Sequence, residues 1–536
     1  MGKQIYISSF LILLWFSLLS SCQNDKFFEL QNEPETPWPN IEEFEKAATG
    51  AYWAAFVRSS WDNLIGCPVL LKTAQADVAQ LLPGTSGDIP FNEMYLRSSE
   101  AEISKTINLF RASYRVINIC NAGLQFIIDN GGKPFDNLSF EDEMHNLKRI
   151  QGELHFMRAY AYWTLSTVFL PVYNSGENDK EYLPLKITFD EKLSEIKSPK
   201  IGTVEEVYNQ ILNDFKVAKE LLPERFDASK HHPSYAHGRA NKFAAASMLA
   251  KVNFMMDNDI DAMPELDYIL DNNGGDYNLS EDPIEAFNKD DNTQGKEVIW
   301  YALYYDPVAR VNAFELTSMT LQSYNATNGG NTWPNGFSRI PWNQFALSYS
   351  VLKYINWMQD PLNGNFNLTE EAKKDKRFNQ LYRRLKEYNG NDNVDPSEFE
   401  TIHGQVTNPV IWCDKYFRGK TTGILTNVPI IRLAEMYLTR ALLRFRNGNI
   451  EGATNDINVI RERAGLDLLN SAELTEDIIH IERIKELSFE GDRLDYLRSA
   501  KLSIPGGDRG IAPTSFDDHS FVWKIPQREI DLITSL

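Results

Sequence analysis

Apolar residues recur at every third and fourth position over long stretches of this chain, with polar residues between them. Across 145–169, Leu147, Ile150, Leu154, Met157, Ala161, Leu165 and Val168 keep that rhythm. Phe156, Tyr160 and Trp163 add a second stripe, so the predicted helix is packed on two sides. The next segment opens with Thr203 and Glu206 at capping-box spacing, runs through Val207, Ile211, Phe215, Ala218 and Leu222, and stops at Pro223. Its partner begins at Gly238 and carries Ala240, Ala244, Ala245, Ala246 and Ala250, a face small enough for close approach of a neighbouring helix. Ile430, Leu433, Tyr437 and Ala441 mark a later helix, and Asn447–Asn449 mark its turn. Ala453, Ile457, Ile460 and Ala464 mark that helix's mate, which Gly465 ends. Further helices are predicted over 41–57, 104–129 and 475–490. Two helices and a tight turn in about 35 residues is the period of tetratricopeptide-type repeats, which bury their faces only by stacking. The expected fold class is therefore all-α dominated: a tetratricopeptide-like helix-pair scaffold over about 41–271 and 428–536.

Between about 272 and 427 the rhythm fails, and a large, irregular, aromatic-rich insert is expected. From Val298 to Trp357, 13 of 60 residues are Phe, Trp or Tyr. Trp300, Tyr301, Tyr304 and Tyr305 suit a half-buried strand, and Tyr349, Leu352 and Ile355 suit one face of a short helix. The run Ser323–Trp342 is different: three glycines, two prolines and four asparagines mark a loop, yet it holds Tyr324, Trp333, Phe337 and Trp342. Large rings in a surface loop either cover its own backbone or serve a ligand. Sugar rings have apolar CH faces that stack on aromatics, and asparagine amides bridge neighbouring hydroxyls as donor and acceptor. Tyr324, Trp333 and Trp342, interleaved with Asn325, Asn328, Asn331 and Asn343, are thus candidate platforms for a glycan.

Charge and composition narrow the picture. The formal net charge of −20 argues against nucleic acid, whose phosphates need a basic face. Four cysteines, none at metal-site spacing, make neither a disulfide framework nor a zinc site, and Cys120 reads as a small core residue. His231, His232 and His237 fall in a polar, proline-containing stretch that is either a solvated loop or a metal site. No phosphate-cradling glycine loop, nucleophile elbow or zinc motif is present, so no cofactor is expected. A glycosidase needs two carboxylates at a set separation, and no sequence feature singles out a pair among the 74 acids.

The amino end adds an address. Lys3, the apolar run Ile5–Leu19 and Ser20-Ser21-Cys22 describe a secretory signal over 1–21. Leu19-Ser20-Ser21-Cys22 also resembles the bacterial lipobox, whose cysteine becomes the lipidated amino terminus; an ordinary cleaved signal is the alternative. Acyl chains on Cys22 would hold the protein on a membrane, at ~0.8 kcal/mol per buried CH₂. Residues 22–40, with three prolines after Cys22, then form a tether.

Several segments together resemble the SusD/RagB-like outer-membrane nutrient-binding lipoproteins of Bacteroidetes. They are "QGELHFMRAYAYWTLSTVF" from Gln151, "TVEEVYNQILNDFKVAKELLP" from Thr203, "GRANKFAAASMLAKVNF" from Gly238, the late helix pair from Val428, "IERIKELSFEGDRLDYLR" from Ile481 and the closing "FVWKIPQREID". Departures from the family pattern include Phe110 in place of a usual tryptophan, and Arg440 and Asn427 in place of common acids. The resemblance implies one SusD-like domain over 41–536 and a non-enzymatic receptor. The implied ligand is usually an oligosaccharide and in some members a peptide; a scaffold that binds no ligand remains the third alternative. It also implies a SusC-like TonB-dependent transporter as partner, and an outer-membrane, cell-surface location. Its binding arc draws on the loop after the first helix, which adds Phe91 and Tyr95 as candidate ligand-binding residues and Asn92 as a polar partner. In the closing signature, Glu482, Arg483, Glu486, Glu490 and Arg493 are spaced to pair and lock one repeat to the next; a catalytic acid pair is the alternative.

Overall fold

Eleven of the helices in the computed structural model form the frame. They are α1 (Ile41–Tyr52), α2 (Gly66–Gln75), α3 (Ser104–Asp129), α4 (Lys148–Phe169), α5 (Val204–Leu221), α6 (Lys242–Met255), α7 (Asp259–Asp271), α8 (Leu433–Arg446), α9 (Ile450–Arg463), α10 (Glu476–Leu487) and α11 (Asp492–Ser499). The structure describes residues 38–58, 62–82, 90–189, 198–287, 295–304, 316, 319, 322–323, 337–338, 345–362, 365–385, 399–400, 405–406, 410–416 and 427–535.

From α3 to α9 each frame helix packs on its sequence neighbour, and α10 packs back on α8. This is the tetratricopeptide-like stack expected from the period. The α4 helix is buried along nearly its whole length because both apolar stripes are covered, by α3 on one side and α5 on the other. Gly123 of α3 allows that approach: a Cβ there would stand 2.7 Å from Leu154 Cδ1. At the start of α5 the capping box is complete, with Glu206 N–H donating to Thr203 Oγ1 (3.2 Å) and Thr203 N–H donating to the Glu206 carboxylate (3.1 Å).

Two boundaries differ from expectation. Ile430 belongs to a strand, Asn427–Arg432, and the helix starts only at Leu433. The strand wins because it pairs antiparallel with Val298–Leu303, tying the exit of the insert to its entry. The helix predicted over 475–490 stops at Leu487, and Gly491, at φ +78°, sets the sharp entry to α11, where a Cβ would meet Val69 Cα at 3.1 Å.

The insert thus leaves after α7 and returns before α8, two helices that pack directly on each other. Trp300 nails its first strand down: fully buried, it meets Phe156 (4.7 Å, 86°) and Tyr160 (4.8 Å, 90°) edge to face. A short helix at Tyr349–Tyr354 follows, with Leu352 and Ile355 buried as expected.

The Arg–Glu signature locks repeats together, but through partners distant in sequence. Glu486 receives Arg432 (2.9 Å) and Arg463 (2.6 Å), Glu490 receives Lys415 (2.6 Å), and Arg493 grips Asp77 through Nε and Nη2. Glu482 is held at about 2: burial raises it, but Arg377, Lys485 and Arg461 together outweigh burial. A general acid needs solvent access and a raised pKa, and Glu482 and Glu486 have neither. The departure at Arg440 is also structural: its guanidinium joins Asp456 of α9 (2.8 Å) to Asp267 (3.0 Å) and Asp271 (2.6 Å) of α7.

Among the described residues, no helix is long and apolar enough to cross a membrane, and Cys22 with its flanking residues lies outside them. Cys120 is fully buried, and burial pushes its thiol up. His231 is not in a solvated loop: it is buried beside Tyr235, and its Nδ1 accepts the Asp227 N–H at 2.9 Å. No cluster of His, Cys, Asp or Glu fit to hold a metal occurs among the described residues.

Candidate functional site

Described residues from three parts of the chain meet at the carboxyl-terminal side of the insert. Strand Ala79–Leu81 pairs antiparallel with Phe345–Leu347, placing Leu81 opposite Phe345. This brings the loop after α2 against the point where the aromatic run of the insert re-enters the frame. Upstream, Gln322–Ser323 pairs with Phe337–Ser338 and brackets residues 324–336. The candidate platforms Tyr324, Asn328, Asn331, Trp333 and Trp342, with Asn325 and Asn343, lie outside the described residues.

The other two candidates are placed. The short helix Phe91–Tyr95 sets Phe91 edge-on to Phe345 (5.6 Å, 76°), with only 4% of its surface exposed. Phe91 therefore fastens the loop to the insert and is no surface platform, a correction to the expectation for it. Phe91 turns inward with Met94, its neighbour on the same helix face. Tyr95 is half-buried, and the Arg509 guanidinium lies 4.1 Å over its ring. One of its faces is thus already taken. Burial raises the Tyr95 hydroxyl pKa, so the phenol stays a neutral hydrogen-bonding group.

Arg509 is the residue sequence reasoning missed. It donates Nε to the Tyr95 carbonyl (2.6 Å) and Nη2 to the carbonyls of Ala76 (2.5 Å) and Ala74, closing the end of α2. Its neighbour Asp508 accepts the N–H groups of Tyr349 (2.6 Å) and Ser350 (3.0 Å). One turn, Gly506–Gly510, thereby sets the helix Phe91–Tyr95 and the helix Tyr349–Tyr354 in a fixed relation. The signal was present in "PGGDRG": three glycines around an Asp–Arg dipeptide mark a turn built for close approach, and a Cβ on Gly506 would stand 2.0 Å from the Ile511 carbonyl oxygen. Arg97 at φ +59° supports the same corner, reaching the Gln75 (2.9 Å) and Pro505 (2.6 Å) carbonyls.

Between the strand that ends at Leu303 and the corner at Phe345, the sequence is rich in aromatic and asparagine residues. The charges at its edge, Arg509 and Asp508, are both bound to backbone groups. None is poised as a general acid or nucleophile.

Comparison with known proteins agrees with this geometry. Residues 76–254 match a SusD-like family described as starch-binding and associating with the outer membrane, and residues 283–501 match the SusD family. A search of curated proteins finds no match. Among solved structures, the chain is similar to a SusD superfamily protein from Bacteroides thetaiotaomicron, with TM-score 0.70 and 20% identity over 92% of this chain and 98% of that one. It is also similar to a putative sugar binding protein from Bacteroides vulgatus (0.68, 19%, 93% and 97%) and to surface glycan-binding protein A from Bacteroides uniformis (0.64, 18%, 93% and 99%). At these identities the neighbours speak for the fold, while the two family matches span both halves of the frame and the anchors of the insert. The chain, a stack of helix pairs interrupted by an aromatic insert, belongs to the SusD family.

Proposed function

We propose that this protein is a cell-surface receptor that captures oligosaccharides without cleaving them and passes them to a TonB-dependent outer-membrane transporter. The observation that carries this reading is the corner just described. The strand Ala79–Leu81, the turn Gly506–Gly510 and the helix Tyr349–Tyr354 brace the carboxyl-terminal flank of a segment rich in Trp, Tyr and Asn, and the pairing of Val298–Leu303 with Asn427–Arg432 ties down its other flank. Stacking on such rings is worth roughly 0.5–1.5 kcal/mol each, so several rings acting together give usable affinity for a polymer. Lipid on Cys22 holds the receptor at the outer membrane, and docking on the transporter raises the effective ligand concentration. Members of the family matched by residues 76–254 are described as starch-binding, which makes glucans the first ligands to try.

The test is titration with soluble polysaccharides. Saturable binding without release of shorter products is expected, and replacing Trp333 and Trp342 with alanine weakens it at least tenfold while the melting temperature stays within a few degrees. Turnover would make the protein an enzyme. Loss of folding in the double variant would place those rings in the core.

A further inference from the structure

Beside the corner lies a cleft of about 430 Å³, between the helix Tyr349–Tyr354 and the segment after α11. Its size falls within the roughly 300–1,000 Å³ of small-molecule sites. One wall is Tyr354, a large ring left 40% exposed with its hydroxyl bound to Asp477 (2.5 Å). The floor is Val351, Leu497 and Leu502. Arg493 also lines it: the side chain is more than nine-tenths buried and spends Nε and Nη2 on Asp77 (2.8 and 2.9 Å). Its third nitrogen, Nη1, has no partner among the described residues.

We propose that this cleft is a second saccharide subsite, which takes one neutral sugar ring against Tyr354 while Arg493 Nη1 donates to a ring hydroxyl. The proposal rests on the glycan reading above and extends it to a place the insert does not supply. The match is chemical: a sugar unit offers an apolar CH face for the tyrosine and leucine surfaces, and an acceptor edge for a single fixed donor. Ser350 and Ser503 add hydroxyls at the rim. Charge selects against acidic sugars. Asp77 already neutralises Arg493, Asp477 stands beyond the tyrosine hydroxyl, and burial pulls His480 down to about 4, leaving no positive charge free for a carboxylate. Asp508 holds the N–H of cleft residue Ser350, and Arg509 holds Tyr95, so cleft and corner are two sides of one turn, within reach of one ligand chain.

The test uses the full-length lipoprotein in detergent and calorimetric titration with neutral α-1,4- and β-1,3-glucans, β-1,4-mannan and β-1,4-xylan, each as trimer and heptamer. The bound series is expected to show a heptamer advantage over its trimer, and Tyr354→Ala to weaken the heptamer about fivefold while leaving the trimer unchanged. Ser350→Trp fills the cleft from an exposed position and gives the same loss, which keeps the test valid if Tyr354→Ala is unstable. Replacing Trp333 and Trp342 weakens both lengths, which separates the two sites. A heptamer advantage that survives both cleft variants overturns the subsite and leaves the receptor intact. Absence of binding to any glycan removes both.

Discussion

Phe91 and Tyr95 stand one helical turn apart and have different roles. Phe91 is a core ring against Phe345, so Phe91→Ala is expected to cost about 3–5 kcal/mol, read as a lower urea midpoint, whatever it does to ligand. Tyr95 keeps one face covered by Arg509 and the rest partly open. Nothing in the sequence distinguishes the two, because a five-residue helix is too short to show a periodicity. Asp214 shows how strongly single charges are set. Burial raises its pKa, yet the Arg158 guanidinium (2.8 Å) and the His155 ring (2.7 Å) hold the carboxyl at about 2. A depressed acid contributes stability above its unfolded pKa and loses it as pH falls through the folded one. Asp214 and Glu482 therefore make stability fall between about pH 4.5 and 2, and His480, held neutral to about 4, adds a fall that starts near 6.5. Urea midpoints should be flat from pH 8 to 7 and decline below. Asp214→Asn should lie about 2 kcal/mol under the parent at pH 7 and converge with it near pH 2.

At the scale of elements, the long helices were legible, even the buried α4 with its two apolar stripes, whereas α2 and α7 were not. The α3 bounds match the expected 104–129, and α5 begins at its capping box, because each has one wet face and therefore a visible rhythm. The α2 helix is buried at nearly every position, which erases the alternation, and α7 is acidic with Pro264 inside. Local spacing also misled about the ion pairs. Glu482, Glu486 and Arg493 sit at helical intervals yet bind Arg377, Arg432 and Asp77, since a buried charge takes the partner that desolvates with it and not the nearest one along the helix. Arg440 is the clearest case: one guanidinium gathers three carboxylates from α7 and α9. Arg440→Ala leaves those acids facing each other and is expected to cost about 3 kcal/mol, measured by urea denaturation, with Arg440→Lys restoring only part because lysine lacks the fork.

For the whole molecule, the helix-pair stack and the place of the insert were readable from periodicity and its failure, but the corner that braces the insert was not. It is made by residues brought together from 74–97, 345–354 and 505–514, and no local pattern announces such a meeting. At this scale the anchor is also tested: Cys22→Ala should move the protein from the membrane to the soluble fraction, and continued membrane association would contradict lipidation.

The ends of the chain are laced to one another. Lys72 meets Asp495, Asp77 meets Arg493, Arg97 reaches Pro505, and Arg509 closes the carbonyl at Ala76, each across more than 400 residues. Closing loops of that length must be done before the contacts give any return, so they form late. The first helices to be synthesised consequently wait, with an acid and a lysine still wanting their mates, for the last segment to arrive. A truncated copy missing only its final forty-five residues would stay open at its front half, exposed to proteases.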